Sequence, residues 1–127
     1  MKLRIKGNSL RLRVSRSELT RFLSPSRIEE TIHFGPGSEA KLTYALESAA
    51  LNTEATVRYS PHELTVTISE EQARIWSEAR EVGIYTTVDV GAEGLLEVII
   101  EKDFACIDRS DADNTDTFVN PNVSAVC

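Results

Sequence analysis

Lys2, Arg4, Lys6, Arg11 and Arg13 are the residues whose type and spacing offer chemistry most directly. They alternate with Leu3, Ile5, Leu10 and Leu12 about Gly7-Asn8 in the opening stretch MKLRIKGNSLRLRVS. Cations at every second position of two segments share one face of a hairpin, and such a face attracts an anionic group. With Gly7-Asn8 as the loop, Lys6 falls opposite Ser9, Arg4 opposite Arg11 and Lys2 opposite Arg13. Like charges are then direct neighbours, which is locally destabilising, so a compensating negative charge is required. Internal candidates are Glu29 and the aspartates near the C-terminus, which would leave a solvated face neutralised within the molecule. External candidates are a phosphate-bearing ligand, an acidic protein surface or a nucleic acid.

A second constellation is Cys106 with Asp108, Asp111, Asp113 and Asp116, and Cys127 beyond them. Carboxylates at this density suit Ca²⁺ or Mg²⁺, but the calcium loop of an EF-hand needs a central glycine and a final glutamate. Asp111-Ala-Asp113-Asn-Thr-Asp116 is followed by neither. A zinc site needs four closely placed soft ligands, whereas the two cysteines are far apart and His33 and His62 lie elsewhere. The expectation is therefore no metal and no cofactor, with Cys106, Asp108, Asp111 and Asp113 as the residues a metal- or thiol-dependent enzyme would use. No nucleophile elbow, phosphate loop, dinucleotide fingerprint or zinc-protease helix motif occurs, so a non-enzymatic role is the favoured reading. Glu30 stands where alternation predicts an inward side chain, and a buried carboxylate there would need a partner.

These side chains must be positioned by short elements. Gly7-Asn8 between alternating segments is a two-residue hairpin signal, with strands at about residues 2–6 and 9–14. Ser15 and Glu18 have capping-box spacing, Leu19, Phe22 and Leu23 form an apolar stripe, and Pro25 ends the helix. Ile28, Ile32 and Phe34 then alternate with polar residues, Gly35-Pro36-Gly37 turns the chain, and Leu42, Tyr44 and Leu46 alternate again. Moving 54 residues along recovers this plan without a gap: Ser15 and Glu18 answer to Ser69 and Gln72, Phe22 to Trp76, Ile28 to Val82, and Leu46 to Ile100. One plan used twice generates such coincidence. The expected organisation is a single domain over 1–127, built of two ββαββ repeats at 1–47 and 55–102, with an acidic extension at 103–127. Its fold class is α+β, with antiparallel sheets or a barrel-like closure and two short helices. The strand at 94–102, apolar on both sides, belongs at a sheet centre or at the contact between repeats. The extension is expected to pack through Phe104, Ile107 and Phe118, and its aspartates could fold back onto the basic hairpin.

At 127 residues, with 41% hydrophobic and 27% charged residues, the chain has the make-up of one soluble globular domain. The net charge of −6 argues against a general nucleic-acid binder, although the first sixteen residues hold six of the fourteen basic side chains and no acidic one. No apolar run is long enough for a membrane span and no signal peptide is apparent. Together with only two cysteines, this leads to the expectation of a cytoplasmic protein with no membrane partner. The functional expectation is an interaction module in which Lys2, Arg4, Lys6, Arg11 and Arg13 take an anionic ligand or an acidic protein surface, with a homodimer left open.

The stretches MKLRIKGNSLRLRVS, ETIHFGPG followed by LTYALE, and VIIEKDFACIDRSDADNTDTF with Asn120-Pro121 resemble a family of small bacterial proteins of unknown function. The resemblance spans most of the chain. It implies no activity, and points to Lys6, Gly7, Asn8, Ser9, Arg11, Cys106 and the aspartates after it as the family's shared positions.

Overall fold

The computed structural model describes residues 1–78, 80–105 and 114–121. The chain runs β1 (Lys2–Ile5), β2 (Ser9–Val14), α1 (Arg16–Leu23), β3 (Arg27–His33), β4 (Lys41–Ala49), β5 (Ala55–Ser60), β6 (Glu63–Ser69), α2 (Glu70–Ser77), β7 (Gly83–Asp89) and β8 (Leu95–Lys102). Each half is thus strand, strand, helix, strand, strand. No helix among the described residues is long and apolar enough to cross a membrane.

The turns obey local chemistry. Gly7 takes φ 56° while Asn8 stays outside the left-handed region, so the first hairpin turns as type II′, with glycine in the first central position. In the second, Pro61 precedes His62 at φ 71°, the pattern of a type II turn. Ser15 caps α1 with the reciprocal Glu18 bond in place, and Ser69 accepts from the Gln72 N–H at the start of α2. Both cap expectations rest on the same physics, since a side-chain oxygen satisfies an orphan N–H of the first turn.

Among the described residues, eight strands form two four-stranded sheets, ordered β1-β2-β8-β7 and β3-β4-β6-β5, with no closed barrel. Each sheet takes one hairpin from each half. Within a hairpin the pairing is antiparallel, but the two hairpins meet through parallel pairs, β2 with β8 and β4 with β6. The sheets are therefore mixed rather than wholly antiparallel. The physical reason is that the partner of each central strand comes from the other half of the chain, where no tight turn dictates direction. Exchanging the first four strands with the last four converts one sheet order into the other. β8 lies at a sheet centre and at the contact between halves, as its apolar character implied.

A single core fills the space between the sheets. Leu10, Leu12 and Val14 of β2, Leu46 of β4, Val66 and Ile68 of β6, and Val98 and Ile100 of β8 supply it from the central strands. The helices add Phe22 and Trp76, whose rings meet edge to face with centroids 6.1 Å apart. Such a pair adds about 0.5–1.5 kcal/mol beyond its buried area.

The 54-residue correspondence holds for strands one and two, the helix and strand four, but not for strand three. Arg27 pairs with Glu47 whereas Gly83 pairs with Glu101, so β3 and β7 correspond at a spacing of 56. Two residues inserted after α2 are removed again in the following turn. A two-residue offset leaves inward and outward positions unchanged, which is why the gap-free alignment looked continuous. A 54-residue spacing sets Glu30 against Ile84, and the register corrects this: the structural counterpart of buried Ile84 is buried Ile28, and Glu30, expected to point inward by alternation, is not an interior position.

Candidate functional site

The register puts the predicted cations where their spacing placed them. Lys2 pairs with Arg13 and Arg4 with Arg11, and Lys6 and Ser9 exchange both backbone bonds beside the turn. Across the outer face of the first sheet this builds three rows: Lys6, Ser9, Glu97, Thr87; Arg4, Arg11, Ile99, Tyr85; and Lys2, Arg13, Glu101, Gly83. The hairpin tip is pinned to β8, since the Asn8 amide donates to the Leu95 carbonyl at 2.8 Å and the Glu97 N–H to the Asn8 carbonyl at 3.1 Å.

Neutralisation is partial, and its agent is one that sequence reasoning missed. Glu101 Oε1 lies 3.2 Å from Arg11 Nε and 3.8 Å from Arg13 Nε. That oxygen is buried and makes no hydrogen bond of good geometry, so the two guanidinium charges are its compensation. Tyr85 donates its hydroxyl to the other Glu101 oxygen at 3.1 Å. Burial and the Glu101 charge push the Tyr85 hydroxyl pKa up. Lys2 reaches Asp103, the residue directly after β8, at 2.8 Å, whereas Asp108, Asp111 and Asp113, the further aspartates expected over the hairpin, lie outside the described residues. Glu29 does not serve, because it pairs with Arg27 at 2.9 Å. Arg4 and Lys6 have no carboxylate within ion-pair distance among the described residues. Together with Ser9, Arg11 and Ile99 they line a groove of about 290 Å³.

The second sheet supplies an internal comparison. Its equivalent rows are Ser60, Glu63, Thr43, Thr31; Arg58, Thr65, Ala45, Glu29; and Thr56, Thr67, Glu47, Arg27. Here the charges close on themselves. Glu47, the counterpart of Glu101, receives Arg27 at 2.8 Å, Arg58 at 2.9 Å and the Thr67 hydroxyl at 2.9 Å. Burial pushes its carboxyl pKa up, but those donors outweigh this and hold it below the usual range. Arg27 also reaches Glu63 at 3.2 Å. The groove at this position is lined by Arg58, Tyr59, Ser60, Glu63 and Thr65. Arg58 stands where Arg4 does, but Ser60 replaces Lys6, Glu63 replaces Ser9 and Thr65 replaces Arg11. The same scaffold position is cationic in one sheet and internally balanced in the other.

Other candidates resolve into structural roles. The Met1 ammonium bonds to the Glu18 carboxylate and, at 2.8 Å, to Glu30, whose side chain is 45% exposed. Tyr44 donates to Glu30 at 3.0 Å, and burial with the Glu30 charge pushes its hydroxyl pKa up to about 12. Asp116 accepts from the Ser17 N–H at 3.0 Å and from the Ser17 hydroxyl, so it ties the chain to the start of α1. Phe118 packs its ring on Phe104 at 6.1 Å. A larger cavity of about 520 Å³ at the start of α2 is lined by Glu54, Glu70 and Glu71, which repel anions. Cys106, Ile107, Asp108, Asp111, Asp113 and Cys127 lie outside the described residues, and with them the metal and thiol reading. No group of three or more His, Cys, Asp or Glu side chains among the described residues is arranged to hold a metal ion.

A model of a family of unknown function (DUF7009) matches residues 1–122, and the chain belongs to that family. No curated protein and no solved structure matches it.

Proposed function

We propose that this family member is a non-enzymatic cytoplasmic interaction module that takes an anionic group on the outer face of its first sheet. Arg4 and Lys6 are the recognising cations, and Arg11 is held at the floor of the groove by Glu101. The observation that carries the reading is the pair Arg4 and Lys6, which meet no carboxylate among the described residues of a chain of net charge −6 whose second outer face is internally balanced. Unpaired cations kept side by side repel one another, and an anionic occupant reverses the sign of that interaction. Arg13 and Lys2 contribute charge at one remove, being engaged by Glu101 and Asp103. The anion belongs to a small ligand or to an acidic protein surface; a nucleic acid is disfavoured by the overall charge.

Arg4 and Lys6 are the positions to test, because reversal of Arg11 or Arg13 would also strand Glu101. Calorimetric titration with a hexaglutamate peptide should show saturable binding that Arg4→Ala/Lys6→Ala weakens by about tenfold, with the melting temperature nearly unchanged. Binding equal in the variant and the parent, or none in either, would refute the proposal.

A further inference from the structure

We infer that the anionic groups arrive on an extended peptide strand that adds to the open edge of β1, an inference resting on the anion-site reading above. β1 is the outermost strand of its sheet. The hairpin closes with Lys6 and Ser9 exchanging bonds of 3.2 and 3.1 Å. Antiparallel bonding alternates from that pair, so Arg4 and Lys2 bond to Arg11 and Arg13, whereas the N–H and C=O of Leu3 and Ile5 point away from β2. No backbone bond from elsewhere in the described residues reaches either of them. The edge therefore presents two donors and two acceptors in strand geometry.

Side chains specify what could use them. An added strand has two faces. One would lie beside Lys2, Arg4 and Lys6, the other beside Leu3 and Ile5. Ile5 is 63% exposed, although it shares the face that carries the core residues. A segment alternating Asp or Glu with Val, Ile or Leu satisfies both faces at once, its carboxylates over the cations and its apolar side chains over Ile5. Backbone pairing supplies affinity and the alternating side chains supply selectivity, as in other strand additions. Free phosphate would leave the edge and Ile5 unused. A second copy pairing β1 against β1 would oppose two rows of cations, and basic edges are a recognised device against such self-pairing. Charge complementarity thus selects an acidic partner strand.

The test uses the full chain and a labelled heptapeptide of alternating Glu and Val. Its controls are the same peptide N-methylated at the amides that would face the edge, a block peptide of identical composition, and sodium tripolyphosphate. Saturable binding of the alternating peptide is expected by fluorescence anisotropy, about tenfold weaker after N-methylation and about tenfold weaker in Arg4→Ala/Lys6→Ala. Ile5→Ser should weaken the alternating peptide while leaving tripolyphosphate binding as it was, and amide exchange of Leu3 and Ile5 should slow in the complex. If the N-methylated and block peptides bind as tightly as the parent, or only tripolyphosphate binds, strand addition is overturned while the anion site stands. If no probe binds saturably, both readings fall, and the cations serve only to keep the edge from self-pairing.

Discussion

Glu101 is the residue on which the character of the basic face turns. It is one carboxylate between two guanidinium groups, at 3.2 and 3.8 Å, and it holds in place charge that would otherwise add to that of Arg4 and Lys6. Two opposite effects follow from neutralising it. Glu101→Gln should lower stability by about 1–2 kcal/mol in a denaturant melt, a figure discounted because both arginines are about a third exposed. The same variant should bind hexaglutamate several-fold more tightly, because Arg11 and Arg13 are released to the ligand. Weaker binding in Glu101→Gln would mean that the carboxylate positions Arg11 more than it neutralises it. Glu18 has a different task. Burial raises its carboxyl pKa, but the Met1 ammonium and the Ser15 N–H and hydroxyl outweigh this, and the net value lies below the usual one. A depressed folded value means stabilisation that is present above the ordinary pKa of 4.5 and lost as pH falls through the folded value. Glu18→Gln, which keeps the capping-box geometry, should cost about 1–3 kcal/mol at neutral pH and flatten the acid limb of the stability curve. An unchanged acid limb would show that the carboxylate titrates normally in the folded chain.

At the scale of elements, what local chemistry dictates was legible and what long-range pairing dictates was not. The Gly7-Asn8 turn determined the register of β1 on β2, so Arg4 opposite Arg11 could be read directly. The Ser15 and Ser69 caps located both helices. The parallel junction of β2 with β8 has no turn to announce it, and for that reason nothing local in the sequence places Glu101 beside the arginines. The shifted spacing of β3 and β7 escaped because a two-residue offset preserves alternation. One marker of that shift is Gly83, whose backbone lies so close to β8 that a Cβ would meet the Ile100 carbonyl at 2.7 Å. Its counterpart under the corrected spacing is Arg27, so the close approach belongs to one sheet only. Gly83→Ala should cost about 1–3 kcal/mol by forcing β7 off β8. A thermal melt indistinguishable from that of the parent chain would show that β7 can shift without loss.

On the scale of the molecule, two equivalent outer faces have been given opposite electrostatic treatment. In the second sheet, Arg27 pairs with Glu29, Glu47 and Glu63, and Arg58 with Glu47. In the first, Glu101 and Asp103 meet Arg11, Arg13 and Lys2, and Arg4 and Lys6 meet no carboxylate among the described residues. A cationic groove on an acidic molecule should bind through screened charge, so hexaglutamate affinity should fall several-fold between about 50 and about 300 mM salt, over which the Debye length shortens. Salt-independent affinity would assign the binding to apolar contact instead. The most direct test of the central claim is an amide chemical-shift map with hexaglutamate, in which the Arg58–Thr65 groove of the second sheet serves as the internal control. The account predicts saturable shifts clustered at Arg4, Lys6, Ser9, Arg11 and Ile99, with the control groove silent. Shifts of equal size at both grooves, or scattered over every lysine and arginine, would contradict it.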